Sequence, residues 1–549
     1  MEPTVMASDP SPSRSRLDRI GAWLDRRTGS WQVVLLVLVL LALPRWLLSD
    51  QLNYPALSGD EFVYVADARD GPRMLSNLFK PHNTHIVPLF RLWTFALVEA
   101  SGRLSRLPEA LSWGSYFTFA IALLLVGHLV HRATHRPAAG LAAMATLGLS
   151  TVMEPVIVWY SASQALCAGS AIVATLIAVE GWLSRGGAWR LGLAAVSGIA
   201  APLLWSGGML AGPAAAVYLW TRGKPRERRA AVAILVLTGC LAGLLVRSVS
   251  RQIEQATESG RRRYGVVEKA TQAVRSTAIA IPEVLVLRNL GIDAALTGAQ
   301  GVVLCCALGW WWSRTGPGRA SRLEAAGAAI VVGSYLMVYY FRGYMPYEDM
   351  RPVGWYHGIP EVGAVLFAAG WWSRCRDEAD PGRPARSSVL TRRELLAIVT
   401  LTSALVVLHL PRAARVFLEG APKMTPEEAA KFPIPELQRL RAILLADEHA
   451  KLQRRALVRL EGAERVARDL GIGRLTIRRT FGRVLVPGIP ELQKQSDAAS
   501  LLALPDSDQR PENQAAVCEA LRGYLAVEPE YVAPWLARPS SPPRSRRDR

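Results

Sequence analysis

Long apolar blocks, rather than alternating apolar and polar positions, dominate most of this chain. The 549-residue sequence carries blocks of about 16–22 apolar residues with almost no charge, the length that crosses ~30 Å of hydrocarbon as a helix. A soluble chain of this length would split into domains whose elements bury only one face. The blocks therefore predict an all-α polytopic membrane protein.

The blocks also divide the chain into segments. Residues 1–30 are predicted to form a cytoplasmic tail, and residues 31–411 a multispan membrane domain with a first external loop at 49–109. Residues 412–538 lack apolar blocks and are predicted to be a small extracytoplasmic helical segment. Residues 539–549 are rich in Ser, Pro and Arg, which is typical of a disordered tail.

Eleven membrane spans are predicted, and the positions of the basic loops test their orientation, because short cytoplasmic loops collect Arg and Lys. With the N-terminus inside, the five internal loops are all Arg-rich: 131–136, 185–190, 222–229, 314–322 and 374–393. The first span lacks a following A-x-A cleavage pattern and is predicted to be retained rather than removed as a signal peptide. The predicted spans are 31–48, 110–130, 138–153, 164–183, 188–204, 208–221, 230–247, 294–313, 323–341, 357–373 and 394–411.

The segment Ile86–Gly102 decides this orientation. It is apolar enough to be a span, but counting it as one would reverse every later loop. Arg91, Trp93 and Glu99 interrupt it, and amphipathic Trp-bearing helices settle at the membrane surface. It is therefore interpreted as a juxtamembrane helix, which leaves 154–163, 248–293, 342–356 and the C-terminus on the extracytoplasmic side.

A net charge of +19 raises the alternative of nucleic-acid binding. Much of the basic excess lies between apolar blocks, which favours the positive-inside explanation. Residues 464–479 have the residue spacing of a helix-turn-helix, but DNA binding would require the tail to lie inside. No nucleic-acid partner is expected, and a membrane-tethered DNA-binding regulator remains an alternative function.

The first external loop carries an acidic pair, Asp60 and Glu61. A carboxylate held near the membrane by Gly59 is well placed to remove a proton from an acceptor hydroxyl. Two ordinary solvated acids are the alternative interpretation. The pair is the candidate catalytic base.

Lys80, His82 and His85 follow in the same loop. On a helix, His82 and His85 would share one face, where they could contact a phosphate or bind a divalent metal with Asp60 or Glu61. The alternative is a helix-entry turn that begins at Pro81 and is capped by Asn83 or Thr84. No third ligand and no Cys/His spacing is identifiable, so no cofactor is predicted.

Two further external loops carry candidate residues. Glu154 opens the second as a helper acid, or as an interface anchor. In the fourth loop, Arg342 and Arg351 could hold a phosphate, and aromatic residues could pack on sugar rings. That loop also contains the substrate-binding candidates Tyr356 and His357, although an aromatic belt would have the same composition.

The layout of residues 30–370 resembles the GT-C superfamily of multispan glycosyltransferases, which take sugars from polyprenyl-phosphate donors. The resemblance implies that Asp60 or Glu61 is the first-loop catalytic acid and Glu154 the second-loop acid. It further implies that Lys80-Pro81, with His82 and His85, forms the basic entry to the juxtamembrane helix. Glu154 departs from the commoner Asp of the family.

These features predict a membrane glycosyltransferase in the cell membrane that moves a sugar from a polyprenyl-phosphate-linked donor to an extracytoplasmic acceptor. Membrane lipid is the other expected partner. A transporter or flippase is an alternative. It is disfavoured because the few charges within the predicted spans, Glu180 and Glu361, lie near the span ends, whereas transporters usually carry ionisable groups near the midplane. The sequence does not predict the sugar, the acceptor or the oligomeric state.

Overall fold

The computed structural model describes residues 33–48, 52, 61–69, 71–82, 85–102, 106–221, 224–258, 265–287, 296–314, 321–342, 347–350, 354–379 and 392–418. Within these ranges the regular structure is helical, apart from an isolated antiparallel bridge between His82 and His85. The predicted all-α class is therefore confirmed. The predicted C-terminal segment, including the helix-turn-helix candidate at 464–479, lies outside the described residues.

The α-helices are numbered here in chain order. They are α1 (Val33–Leu47), α2 (Glu61–Arg69), α3 (Gly71–Asn77), α4 (Pro88–Ser101), α5 (Leu107–Thr134), α6 (Pro137–Gly148), α7 (Glu154–Val158), α8 (Gln164–Arg185), α9 (Ala188–Leu204), α10 (Ala211–Trp220), α11 (Pro225–Glu258), α12 (Val266–Ala280), α13 (Gly298–Arg314), α14 (Arg322–Phe341), α15 (Tyr347–Met350), α16 (Gly358–Ala379) and α17 (Arg392–Leu418). Short 3-10 helices at Tyr160–Ser163, Ser206–Leu210 and Gly354–Tyr356 and a π-helix at Ile281–Leu287 lie between them.

Four helical segments in the described part of the chain are long and apolar enough to cross a membrane: Leu107–Thr134, Tyr160–Arg185, Pro225–Arg247 and Arg322–Phe341. Each of the eleven predicted spans contains a helix, but several helices are short. The 12-residue α6, for example, is about 18 Å long at 1.5 Å per residue. Helices able to span a bilayer indicate a membrane protein, and the count of eleven crossings stays a prediction.

Burial separates central from peripheral helices. Most side chains of α8 are enclosed by neighbours, whereas most of those in the membrane-length part of α11 are not. The exposed face of α11 carries large apolar side chains, as expected of a surface solvated by lipid. They are Val232, Leu235, Val236, Leu237 and Leu244.

Glycine permits a close helix crossing between α14 and α16. A Cβ on Gly327 would lie 2.5 Å from the backbone nitrogen of Phe367 and 2.6 Å from the carbonyl oxygen of Gly363. Small residues allow helices to approach this closely. In lipid the hydrophobic effect does not drive helices together, so van der Waals contact at such crossings stabilises the packing instead. At one end of the same pair, Arg374 donates to the buried carboxylate of Glu324 at 3.0 Å.

The predicted third external loop, 248–293, is largely helical where it is described. Helix α11 continues to Glu258, and α12 packs against α13 and α14. Ala273, Ser276, Thr277 and Ala280 are buried on one face of α12, while Arg275 and the exposed valines lie elsewhere. The Arg-rich composition concealed this periodicity, because small residues give a weak hydrophobic signal.

The predicted juxtamembrane helix is present as α4. Val87 precedes it as N-cap, and Gly102 ends it in the left-handed conformation with φ 61°. Phe90, Arg91 and Val98 are buried on one face, so the helix is amphipathic. Its position at the membrane surface stays a prediction.

Candidate functional site

The first external loop folds into a small unit around a buried ion pair. Nη1 of Arg91, on α4, lies 2.5 Å from Oδ2 of Asp67, on α2, and both side chains are almost completely buried. Nδ2 of Asn77 donates to the other carboxylate oxygen at 3.1 Å. Arg91 also donates to the carbonyl of Lys80 at 3.4 Å. A buried charge requires such partners, so this network holds α2, α3 and α4 together.

Glu61 joins this unit to the second external loop. It is the first residue of α2 and only 2% exposed. Its Oε1 accepts a hydrogen bond of 3.3 Å from the backbone N–H of Ser161. One turn further along α2, the hydroxyl of Tyr64 accepts from Nε2 of Gln164 at 3.1 Å. Asp60, the other member of the predicted acidic pair, lies outside the described residues.

The 3-10 helix Tyr160–Ser163 supplies polar groups beside Glu61. Ser161 and Ser163 are 4% and 0% exposed, and their hydroxyls have no hydrogen-bond partner among the described residues. The neighbouring Tyr160 hydroxyl is satisfied by Thr94 Oγ1 at 2.8 Å. Buried hydroxyls are usually hydrogen-bonded, so the serine pair marks a place where a polar ligand or water is expected.

His82 and His85 do not share a helix face, which corrects the helical alternative. Each donates its backbone N–H to the carbonyl oxygen of the other at 2.8 Å, forming an antiparallel bridge ahead of α4. The alternative of Asn83 or Thr84 as helix cap is also wrong, because Val87 is the N-cap. Pro88 disfavours a helical conformation at Val87, the residue before it, so α4 begins at Pro88.

The two histidine rings contact different elements. His82 packs edge-on against Tyr64, with ring centroids 5.0 Å apart. His85 lies 6.1 Å from the ring of Trp205, at the α9–α10 turn. Within the described residues, no three His, Cys, Asp or Glu side chains are grouped closely enough to hold a metal ion.

His85 connects the first loop to two other loops. Its Nδ1 lies 2.9 Å from Oγ of Ser206, and its Nε2 lies 3.4 Å from Nη2 of Arg342, at the end of α14. A guanidinium can only donate. Nε2 is therefore the acceptor, and in the neutral ring Nδ1 carries the proton and donates to Ser206. The guanidinium carbon of Arg342 also lies 6.0 Å from the ring of Tyr356.

Contacts also join the second and fourth external loops. The rings of Trp159 and Trp355 meet edge-on at a centroid distance of 4.5 Å. Glu154 begins α7 in the second loop and is half-buried. The first, second and fourth loops are thus in mutual contact, as the candidate site requires.

The remaining predicted site residues are placed as follows. Lys80 is exposed, and Arg351 lies outside the described residues. His357 is fully buried, with its Nδ1 3.1 Å from the hydroxyl of Tyr335. That position makes His357 part of the helix packing rather than of an open surface.

Sequence reasoning missed several polar residues of this region: Tyr64, Asp67, Ser161, Ser163, Gln164 and Ser206. A signal was available for the pair in the second loop, since Ser161 and Ser163 interrupt an apolar stretch with alternating hydroxyls. None was available for Ser206, because its role depends on a residue 121 positions away.

Comparison of the chain with protein-family models, with curated proteins and with solved structures gives no match.

Proposed function

We propose that this protein is a membrane-embedded glycosyltransferase that moves a sugar from a polyprenyl-phosphate-linked donor to an acceptor hydroxyl. The observation that carries the proposal is the buried carboxylate of Glu61 in contact with the second loop. The cationic and polar group Arg342, His85 and Ser206 belongs to the same set of connected loops. A base beside a phosphate-binding group is what such a transfer needs.

The reaction balances with the chain's own groups. Asp60 or Glu61 takes the proton of the acceptor hydroxyl as its oxygen bonds to the anomeric carbon of the sugar. The bond from that carbon to the phosphate oxygen breaks, and polyprenyl phosphate leaves with the electron pair. Arg342, whose guanidinium is held by His85, stabilises the charge that develops on the leaving phosphate, so no acid is needed to protonate it. Glu154, Lys80 and Arg351 are proposed helpers at the rim of the site.

The proposed orientation has the N-terminus cytoplasmic and the C-terminus extracytoplasmic, and the loop contacts support one part of it, that Ile86–Gly102 is not a span. If Ile86–Gly102 does not cross the membrane, the first, second and fourth external loops must all lie on the same side of it. Glu61 contacts Ser161, and His85 contacts Arg342, so residues of these three loops do lie together. The guanidinium of Arg45, at the end of α1, also lies 4.4 Å from the ring of Trp113, near the start of α5.

The test is transfer by the purified full chain in proteoliposomes, supplied with polyprenyl phosphates that carry a panel of radiolabelled sugars. Wild type is expected to release the label from lipid into a covalent product. Glu61→Gln and Asp60→Asn test the two candidate bases, and at least one should abolish transfer. Glu99→Gln is the matched control, because Glu99 lies exposed on α4 and should be neutral.

Two outcomes would overturn the proposal. One is full transfer activity in both carboxylate variants. The other is movement of the labelled donor across the bilayer without any covalent product, which would select a transporter or flippase.

A further inference from the structure

A pair of arginines converges on a glycine at the end of the bundle where α5 and α8 finish and α9 begins. A Cβ placed on Gly181 would lie 3.6 Å from Nε of Arg190 and 3.9 Å from Nη1 of Arg132. Both guanidinium groups therefore lie within 4 Å of one point beside Gly181, and Cδ of Arg190, 3.3 Å from the same point, would crowd a side chain there. Two like charges brought together in this way repel unless an anion lies between them.

The partners of these arginines within the described residues are neutral. Nη2 of Arg132 donates to Oγ of Ser184 at 3.2 Å, and Nη1 of Arg190 donates to the carbonyl of Gly186 at 2.7 Å. Glu180 precedes Gly181 in the chain, and its carboxylate accepts a hydrogen bond from the hydroxyl of Tyr218 at 2.8 Å. Neither guanidinium forms an ion pair with a described carboxylate.

The start of α9 adds to the positive potential. The first turn of this 17-residue helix contains no acidic residue, and its N-cap, Gly187, provides no side-chain cap. Its free backbone N–H groups and its dipole favour an anion at this end. The arginine pair and the helix end thus converge independently on the same place.

The arginine pair lies at the ends of apolar helices, and this position indicates which kind of anion would bind there. Trp189 is 65% exposed, and the guanidinium of Arg190 lies 4.5 Å from its ring. Exposed tryptophan at the end of an apolar helix is typical of the membrane–water interface. A phosphate at that depth belongs to a lipid.

We propose that Arg132, Arg190 and the start of α9 form a binding site for the phosphate headgroup of an anionic phospholipid. The guanidinium forks supply parallel donors that match phosphate oxygens. Glycine at position 181 lets both arginine side chains lie close against α8, and Trp189 packs at the glycerol level beside the phosphate. This site is independent of the proposed transferase function.

Native mass spectrometry of the purified full chain, with added phosphatidylglycerol or phosphatidylcholine, tests the site. We expect wild type to prefer phosphatidylglycerol. Arg132→Gln and Arg190→Gln should each weaken its binding about tenfold or more, since a hydrogen bond to a charged group contributes ~1.5 kcal/mol or more. The matched control is Arg228→Gln, which removes an exposed arginine beside Trp220 at the end of α10 and should have a smaller effect, at most the ~1 kcal/mol of general surface charge.

Three results would overturn the proposal. An equal loss in Arg228→Gln would show general surface charge rather than a site. No loss in either single variant would remove the arginine pair from the interaction. Displacement of phosphatidylglycerol by millimolar inorganic phosphate would show that the ligand is a soluble phosphate rather than a lipid headgroup.

Discussion

The carboxylate of Glu61 accepts its hydrogen bond from the backbone of Ser161, exactly one hundred positions along the chain. This contact joins the first external loop to the second through a main-chain donor, which no substitution at Ser161 other than proline removes. The serine hydroxyl is therefore available for another partner. This separation of roles leads to a first prediction.

Replacing Ser161 and Ser163 by alanine should lower sugar transfer while leaving the free energy of unfolding unchanged or slightly higher. Removing a buried, unpartnered hydroxyl relieves a desolvation cost of about 1–3 kcal/mol, whereas loss of a ligand contact weakens binding. Thermal unfolding in detergent and transfer rates in proteoliposomes measure the two effects. Unchanged transfer with lowered stability would contradict a ligand-binding role for the pair.

Breaking the ion pair between Asp67 and Arg91 should destabilise the first-loop unit strongly. Asp67→Leu alone leaves a buried guanidinium uncompensated, at a cost of about 3–5 kcal/mol. The double variant Asp67→Leu/Arg91→Met removes both charges and should recover much of that loss. Hydrogen exchange of residues 61–102 is the measurement, and Lys80→Gln, an exposed charge, is the control. Exchange in the double variant as fast as in Asp67→Leu would argue against the pair as the source of stability.

Gly327→Ala should destabilise the crossing of α14 with α16. Its Cβ would overlap backbone atoms that cannot move aside, and overpacking of this kind costs about 1–3 kcal/mol. Gly239→Ala is the matched control, because a Cβ there meets nothing within 4 Å. At that helical position alanine should stabilise by up to about 1 kcal/mol. Midpoints of thermal unfolding that move in the same direction would refute the close-contact explanation.

Arg342→Gln and His357→Leu should have different effects. Loss of a charged donor to the leaving phosphate should lower kcat/KM for the lipid-linked donor about 10–100-fold, the factor for a hydrogen bond of about 1.5–3 kcal/mol. His357→Leu should leave the donor KM unchanged and lower stability, because it removes a hydrogen bond to the buried Tyr335 hydroxyl. A raised donor KM in His357→Leu would instead support the predicted substrate-binding role of that residue.

The proposed orientation predicts an extracytoplasmic signal from a reporter fused after Arg549 and a cytoplasmic signal from one inserted between residues 380 and 390. The reason is the odd number of crossings combined with Arg-rich internal loops. Alkaline phosphatase and green fluorescent protein fusions report the two sides. A cytoplasmic C-terminus would restore Ile86–Gly102 as a span or remove another, and would reopen the DNA-binding alternative.

The helices of the bundle were predictable because each is a local property of a continuous apolar stretch. Runs such as those of α5, α8 and α14 cannot be solvated by water, and a helix satisfies their backbone groups internally. The same reasoning identified α4 as an amphipathic helix from its interrupting charges. It failed for α12, whose buried face consists of small residues.

The candidate site was predictable only as a set of loops. The residue types of Glu61, His85 and Arg342 indicated acid and phosphate chemistry, but His82 and His85 were wrongly placed on one helix face. The two histidines instead form a backbone bridge, and their rings lie against different neighbours, Tyr64 and Trp205. Flanking prolines were visible in the sequence, whereas the partners of each ring were not.

The sequence by itself determined that the chain is a helical membrane protein and which residues carry reactive groups, because both depend on local hydrophobicity and residue type. Only the tertiary structure decided that Glu61 contacts Ser161, that His85 lies between Ser206 and Arg342, and that Arg132 meets Arg190 over Gly181. These pairs are far apart in the chain and come together through helix packing. Packing depends on shape complementarity between whole helices, which no local pattern encodes.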